Sequence, residues 1–234
     1  MIKKIIVLTG AGISIESGLR TFRGGDGLWE NHRIEDVATP SAWAKDQAMV
    51  LRFYNERRKD VRQALPNAAH RALVSLEAHF NVTIITQNID DLHERAGSKN
   101  IIHLHGEIMK SRSSLDESLL YDCTGDIQIG DHCELGSQLR PHVVWFHEAV
   151  PMMDTAAAAC ADADIFLVIG TSLQVYPAAG LIHYAPRHSL KFLVDPDFHE
   201  LPRLKNLEVI AAKASTGVPA LVKRIIDDYQ HDAV

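Results

Sequence analysis

The chain has 234 residues, of which 46% are hydrophobic and 23% are charged, and its formal net charge is −6 at pH 7. This length can bury a real core and predicts one domain, or a domain with a small insertion. The acidic balance argues against non-specific binding to nucleic acid, which requires a basic face. No apolar run approaches the ~18 residues that cross a bilayer, so we expect neither a nucleic-acid nor a membrane partner.

The cysteines and the N-terminal sequence favour a reducing, cytoplasmic compartment. Cys123, Cys133 and Cys160 form no dense disulfide framework, which is typical of a reducing environment. The apolar part of residues 1–8 is too short for a signal peptide and has no separate cleavage region. We therefore interpret it as a buried strand and expect a cytoplasmic protein.

Short β-branched runs alternate with helical patterns along the chain. The predicted strands are 4–8, 82–86, 101–104, 165–169 and 191–194, and the predicted helices are 41–64, 68–79, 154–161 and 218–230. Near-continuous apolar strands suit a parallel sheet that is covered on both faces. The alternation predicts an α/β fold with a Rossmann-type doubly wound parallel sheet. The polar stretch 109–140 breaks the pattern and predicts a smaller inserted module.

A glycine-rich turn follows the first strand. It reads Thr9-Gly10-Ala11-Gly12-Ile13-Ser14, and Ser17-Gly18 comes where we expect a helix to start. Glycines allow close backbone approach, and a helix N-terminus attracts a pyrophosphate, so the turn predicts a dinucleotide site. The alternative is a tight turn that only connects strand to helix, because Ile15 stands where a third glycine would complete the fingerprint.

A second glycine-rich segment, Thr21-Phe22-Arg23-Gly24-Gly25-Asp26-Gly27-Leu28-Trp29, follows the turn. Its glycines indicate a mobile loop, in which Arg23 would contact phosphate and Phe22 would shield a reactive centre. The alternative is a surface loop that a buried Trp29 anchors.

Polar side chains follow two further strands. Gln87-Asn88-Ile89-Asp90 begins where strand 82–86 ends, and His103-Leu104-His105-Gly106 closes the next strand. Ligands of open α/β sheets sit at the carboxyl ends of strands, although Asn88 and Asp90 would equally suit helix caps. His105 is at that edge, and a neutral imidazole there is suited to proton removal near pH 7.

These motifs, together with Gly170-Thr171-Ser172 after strand 165–169, resemble the sirtuin family in order and spacing from residue 5 to about 226. The resemblance implies a single catalytic domain over 1–234. Its large Rossmann-type part would cover about 1–30, 65–108 and 142–234, and a small module would cover about 31–64 and 109–141. NAD, as co-substrate, and an acylated lysine of a protein or peptide would meet between the two parts.

The resemblance also implies a reaction and the residues that serve it. The acyl oxygen attacks the ribose carbon that bears nicotinamide, nicotinamide leaves, and an alkylimidate forms. His105 deprotonates a ribose hydroxyl, so that the intermediate cyclises and is then hydrolysed by water to free lysine and O-acyl-ADP-ribose. Asn88 orders the ribose and a water, and Asp90 holds the nicotinamide amide. The NAD site would be lined by Gly10, Ala11, Gly12, Ser14, Gly18, Thr21, Phe22, Arg23, Trp29, Gln87, Asn88, Ile89, Asp90, Gly170, Thr171, Ser172 and Ala214. Val143, Trp145 and Phe146 would line the peptide cleft, with core packing as the alternative for these three residues.

Tyr54 and Arg57 lie three residues apart on a predicted helix, so they share a face. A hydroxyl and a guanidinium on one face bind a carboxylate. A Tyr-x-x-Arg at this place resembles the sirtuins that remove succinyl and malonyl groups, and Ala38 matches the small residue that widens their acyl pocket. The alternative is a solvated basic face of Arg57, Arg58, Lys59 and Arg62 with Tyr54 half-buried. We expect the carboxylate role, with acetyl-lysine accepted as well.

The chain departs from the family in two places. Most sirtuins hold zinc with two Cys-x-x-Cys pairs, but Ser111-Arg112-Ser113-Ser114 replaces the first pair, and Gly136 stands three residues after Cys133. Cys123 and His132 do not complete a tetrahedral set, so we predict no zinc and a module held by packing alone. In addition, Leu193 stands where the family usually places an asparagine, and Asp195 would take over the ribose hydroxyls.

Two rival functions use the same motifs. A sirtuin-like mono-ADP-ribosyltransferase would use the NAD site on another acceptor, but it has no need of a carboxylate clamp at Tyr54 and Arg57. A non-catalytic NAD or ADP-ribose sensor has no need of a base at His105.

Overall fold

The computed structural model describes residues 2–20, 28–29, 32–197 and 204–231, with the backbone alone at 28–29 and 230–231. The strands are β1 (Lys4–Thr9), β2 (Leu28–Trp29), β3 (His32–Arg33), β4 (Asn81–Thr86), β5 (Ile101–His103), β6 (Gly106–Ser113), β7 (Leu120–Asp122), β8 (Leu139–Val143), β9 (Ile165–Ile169), β10 (Leu190–Val194) and β11 (Leu207–Ile210). The α-helices are α1 (Ile34–Val37), α2 (Pro40–Lys45), α3 (Gln47–Gln63), α4 (Ala68–Leu76), α5 (Leu92–Ala96), α6 (Met153–Cys160) and α7 (Ala214–His231). Two 3-10 helices cover Ala11–Ser17 and Ala178–His183. None of the helices in these described ranges is long and apolar enough to cross a membrane.

Six strands form one parallel sheet in the order β11-β10-β9-β1-β4-β5. Both faces are apolar because successive side chains of β1 point to opposite sides: Ile5 and Val7 join the core that packs on α4 and α7, while Ile6 and Leu8 join the core under α6. The predicted doubly wound sheet is therefore confirmed. β11 was not predicted, because this edge strand is only partly buried and carries the exposed Glu208.

The sheet reverses its winding between β1 and β9, which are neighbours in space but distant in sequence. In such sheets, ligands bind in the crevice at the carboxyl ends of the strands on either side of this switch point. The segments that leave β1, β4 and β9 begin at Gly10, Gln87 and Gly170. The fold thus collects the three predicted ligand-binding motifs at one edge.

Two predicted helix boundaries were wrong. The segment after β1 is already a 3-10 helix from Ala11, and Gly18, with a left-handed φ of 90°, ends that helix instead of starting one. The predicted helix 41–64 is two helices, because Asp46 leaves helical geometry and its carboxylate accepts from the Met49 amide as the cap of α3.

The polar stretch 109–140 belongs to a three-stranded antiparallel sheet in the order β7-β6-β8. An apolar cluster joins this sheet to α1, α2 and α3 through residues such as Val50, Phe53, Ile108 and Val143. The division into a larger and a smaller part with the boundaries given above stays a prediction.

Packing alone does not hold the small sheet, contrary to expectation. The buried Arg58 of α3 donates from Nε to the Ile108 carbonyl at 2.8 Å and from Nη1 to the Asn55 side chain at 2.8 Å. Asn55 in turn exchanges two hydrogen bonds with the backbone of Ile127. These contacts give the buried polar groups of Arg58 and Asn55 protein partners in place of the hydrogen bonds to water that they lose on folding.

Candidate active site

His105 lies between β5 and β6, two residues after the end of β5, and is half-buried at the carboxyl edge of the parallel sheet. Its Nδ1 is 2.9 Å from the main-chain oxygen of Gln87. A carbonyl oxygen only accepts, so Nδ1 carries the proton and Nε2 presents a lone pair. Burial lowers the pKa of His105, and the Gln87 contact opposes this only partly. The imidazole is therefore neutral at pH 7, which is the state that a base needs.

Gly106 allows this placement of His105. Its φ is +80°, and a Cβ there would run into the carbonyl oxygen of His142 on the neighbouring strand. The amide of Val144 also donates to the His105 carbonyl at 2.9 Å. The histidine is thus fixed between the parallel sheet and the strand that leads to the predicted peptide cleft.

Ser14, Asn88 and Asp90 form one buried hydrogen-bonded group. The Ser14 hydroxyl donates to Asp90 Oδ2 at 3.1 Å and accepts from Asn88 Nδ2 at 3.2 Å. Burial raises the pKa of Asp90, and its hydrogen bonds and the charge of Arg57 act in the opposite direction. Asp90 also accepts from the Leu92 amide at 3.2 Å, but the N-cap residue of α5 is Asp91, so neither Asn88 nor Asp90 is the helix cap that the alternative interpretation expected.

A buried hydrogen-bond network, which the sequence analysis did not predict, holds the main chain of Asn88. The Thr9 hydroxyl donates to the Thr86 hydroxyl at 2.9 Å, and the same Thr86 oxygen accepts from the Asn88 amide at 3.1 Å. His93 Nε2 lies 3.1 Å from the Thr9 hydroxyl, and burial lowers the pKa of His93 well below its ordinary value. Threonines inside strands look like ordinary β-branched residues, so the only signal was their place at the ends of β1 and β4.

The glycines of the first motif serve a contact within the protein. A Cβ on Gly12 would lie 2.6 Å from Gly170 Cα, and one on Gly10 would lie 2.7 Å from Thr171 Cβ. The amides of Gly10 and Gly12 donate to the carbonyls of Ile169 and Gly170 at 3.0 and 2.8 Å. These two amides are therefore engaged by the chain itself, and the close approach of two loops explains both glycines.

The remaining predicted NAD contacts lie along the same edge or outside the described residues. Gln87 Nε2 donates to the Thr171 hydroxyl at 3.3 Å, which joins two of the motifs. Ala214 is buried at the start of α7, and the half-buried Asp195 follows β10. The others are the partly exposed Ala11 and Ser172, the exposed Gly18 and the half-buried Ile89, whose carbonyl accepts from Ile108. Thr21, Phe22 and Arg23 lie outside the described residues, and Trp29 is described by its backbone alone.

The predicted acyl-binding residues lie together. Tyr54 is fully buried and accepts from Trp145 Nε1 at 3.0 Å. Arg57, 7% exposed, donates from Nη2 to the Arg20 carbonyl at 3.1 Å. The solvated basic face is therefore wrong for Arg57 and Arg58, although Lys59 and Arg62 are exposed. Burial raises the pKa of Tyr54, so it stays a neutral hydroxyl.

Ala38 and the segment after β8 complete this region. Ala38 is buried, and its carbonyl accepts from the Phe146 amide at 3.0 Å. Val143 and Trp145 are buried in the cluster under the small sheet, while Phe146 remains 39% exposed. Core packing thus accounts for the burial of Val143 and Trp145, and Phe146 is the residue of the three that is exposed to an approaching peptide.

The cysteines do not fit a zinc ion. Cys133 Sγ lies 3.3 Å from the Ser113 hydroxyl and 3.2 Å from the Ser137 hydroxyl, while Cys123 donates to the Gly125 carbonyl at 3.5 Å. No group of three or more His, Cys, Asp or Glu side chains with metal-binding geometry exists among the described residues. A hydroxyl–thiol cluster therefore stands where the resemblance places four cysteines.

Comparison with known proteins identifies the family of the chain. The Sir2 family model matches residues 10–177. The NAD-dependent protein deacylase of Aggregatibacter actinomycetemcomitans is 54% identical over 192 residues, covering 82% of this chain and 92% of its own. The structure of a Sir2 homologue in complex with NAD superimposes with a TM-score of 0.87 at 39% identity, covering 97% and 91% of the two chains. A complex of Sir2 with a p53 peptide and NAD+ gives 0.80 at 29% identity, covering 98% and 94%. The chain belongs to the Sir2 family, the sirtuins.

Proposed function

We propose that this protein is an NAD-dependent protein-lysine deacylase that removes succinyl and malonyl groups as well as acetyl groups. The observation that carries the proposal is the neutral His105, oriented by the carbonyl of Gln87, which directly precedes Asn88 in the hydrogen-bonded group of Ser14, Asn88 and Asp90 at the carboxyl edge of the sheet. A protein that only binds NAD does not need a base whose burial keeps it unprotonated. The deacylase name of the relative and the NAD complex of the similar structure support the same function.

The described residues suit NAD as co-substrate. The crevice between the ends of β1 and β9 is the usual dinucleotide position in this fold. Within it, Asn88 would hold the ribose, Asp90 the nicotinamide amide, and Gly170, Thr171 and Ser172 the adenosine side, with Ala214 at the adenine. Asp195, at the end of β10, would contact the adenosine ribose. NAD supplies a ribose carbon whose bond to nicotinamide can break.

His105 would act through Nε2. This atom would take the proton of a ribose hydroxyl, while the Gln87 carbonyl holds the proton on Nδ1 and stabilises the imidazolium that forms. Asn88 and Asp90 are fixed by Ser14 before substrate arrives, so they require little reorganisation as charge develops.

Tyr54 and Arg57 would select acidic acyl groups. Arg57 is almost completely buried, and its guanidinium is oriented by the Arg20 carbonyl. Tyr54 is oriented by the Trp145 indole. A carboxylate at the end of an acyl chain would form charge-assisted hydrogen bonds with both groups, and the small Ala38 would leave room for that chain. Phe146, exposed beside Ala38, would contact the peptide.

A matched substrate panel tests this proposal. The protein is incubated with NAD and one peptide sequence carrying acetyl-, succinyl- or malonyl-lysine, and the products are identified by mass. We expect nicotinamide, free lysine and O-acyl-ADP-ribose, with the acidic groups removed faster than acetyl. Absence of O-acyl-ADP-ribose with all three peptides would refute the deacylase function, and attachment of ADP-ribose to the peptide would instead favour the transferase.

The cytoplasmic location that the cysteines and the N-terminus favour stays a prediction.

A further inference from the structure

A nearly buried ion cluster lies where β6, β8 and the following turn meet. The Glu148 carboxylate is 2.7 Å from Arg140 Nη1, and both of its oxygens lie 3.4 Å from Arg112 Nη2. The side chains of Arg112 and Arg140 are only 4% and 8% exposed, so this one carboxylate balances two desolvated guanidinium groups. Arg112 also lies 3.4 Å from Glu117, which is largely exposed and therefore screened by water.

The same carboxylate holds the turn after β8. Glu148 Oε2 accepts from the Trp145 amide at 2.7 Å, while Arg140 Nη2 donates to the Val143 carbonyl at 3.0 Å. The Arg140 guanidinium carbon stacks 3.2 Å from the centre of the Trp145 ring. Backbone and ring of Trp145 are thus both fixed by this pair of charged residues.

Trp145 connects the ion cluster to the proposed acyl site. Its Nε1 donates to the Tyr54 hydroxyl, and the next residue, Phe146, donates its amide to the Ala38 carbonyl. A shift of Trp145 would therefore move both the hydroxyl proposed to bind the acyl carboxylate and the turn proposed to contact the peptide.

We propose that Glu148 is a positioning residue for the acyl-lysine substrate. By neutralising Arg112 and Arg140 and binding the Trp145 amide, it fixes Trp145, and through it Tyr54 and Phe146, in their substrate-binding positions. Arg112 lies within the segment where the resemblance expects the first cysteine pair. The ion cluster therefore ties β6 to β8 in a small sheet whose cysteines do not fit a metal. This inference rests on the proposed deacylase function.

Glu148→Gln tests the role because it keeps the size of the side chain and removes its charge. We expect the KM for the succinyl-lysine peptide to rise about tenfold or more, while the KM for NAD stays within about twofold, since the NAD residues lie on the parallel sheet. Glu148→Asp should recover part of the loss. Glu117→Gln is the matched control, because it removes an exposed carboxylate from the same Arg112, and it should leave both constants unchanged.

Trp145→Phe keeps the Glu148 carboxylate, its bond to the main-chain amide of residue 145 and an aromatic ring beside Arg140. It removes the indole N–H that binds Tyr54, so it should also raise the peptide KM selectively. It provides a second test if Glu148→Gln does not fold. Equal changes in both KM values, or a loss of kcat with an unchanged peptide KM, would overturn the positioning role. If the wild-type protein deacylates no peptide, the proposed function fails, whereas normal wild-type turnover with an unchanged Glu148→Gln or Trp145→Phe variant refutes the positioning role alone.

Discussion

His105 Nδ1 lies 2.9 Å from the main-chain oxygen of Gln87, and this contact determines which imidazole nitrogen is available as a base. The partner is a backbone atom at the end of the neighbouring strand β4, so the tautomer is set by the pairing of β4 with β5. A side-chain substitution at position 87 would leave the carbonyl in place, so the base remains oriented whatever residue stands there.

The pH dependence follows from this environment. Burial lowers the pKa of His105 below its ordinary value of 6.5, so the free-enzyme base stays neutral from neutral pH down into the mildly acidic range. We expect kcat/KM to be constant at neutral and weakly alkaline pH and to fall as pH decreases through a pKa that lies below 6.5. A profile of kcat/KM against pH would measure this. An acidic limb with its midpoint above pH 7 would contradict the assigned environment.

Substitution of Arg57 tests the acyl preference. Arg57→Met keeps the aliphatic length and removes the cation that would bind the acyl carboxylate. We expect kcat/KM for succinyl-lysine to fall about 100-fold, which corresponds to about 2.8 kcal/mol of lost transition-state binding. The kcat/KM for acetyl-lysine, which has no acyl carboxylate, should change less than about fivefold. Arg52→Met, on the exposed face of the same helix, is the control and should change neither. Equal losses with both peptides would show that Arg57 has only a structural role.

The close approach of the β1 and β9 loops predicts a further effect. Gly12→Ala would place a methyl group 2.6 Å from Gly170 Cα, so the two loops must separate. We expect a loss of about 1–3 kcal/mol of stability, typical of overpacking, together with a higher KM for NAD. Thermal unfolding and NAD titration would measure both. Gly125→Ala, where the new methyl group meets nothing within 4 Å, is the control. Unchanged stability of Gly12→Ala would refute the close approach.

Metal content is the next prediction. Cys133 contacts two serine hydroxyls and Cys123 contacts a carbonyl, so we expect the purified protein to contain no stoichiometric zinc. Since we expect no metal to contribute to folding, a strong chelator should change neither the unfolding temperature of the protein nor its deacylase rate. Elemental analysis before and after chelation measures this. One zinc per chain, lost together with activity, would contradict the prediction.

The sequence predicted the parallel sheet and the position of the candidate motifs at the ends of its strands, because long apolar strands and the turns that follow them are local patterns. It did not predict β6 as a strand, because Arg112 and Ser113 are buried against partners distant in sequence, Glu148 and Cys133 respectively. It also missed the 3-10 helix after β1, whose form depends on contact with Gly170. Tertiary contacts of this kind override local propensity.

The most direct test of the account is a single-turnover reaction of a succinyl-lysine peptide and NAD with the wild-type protein and with His105→Ala. We expect the wild-type protein to form free lysine and O-succinyl-ADP-ribose in equal amounts. The variant should still bind NAD but form these products at least about 100-fold more slowly. Product formation by His105→Ala at the wild-type rate, or ADP-ribose attached to the peptide by the wild-type protein, would contradict it.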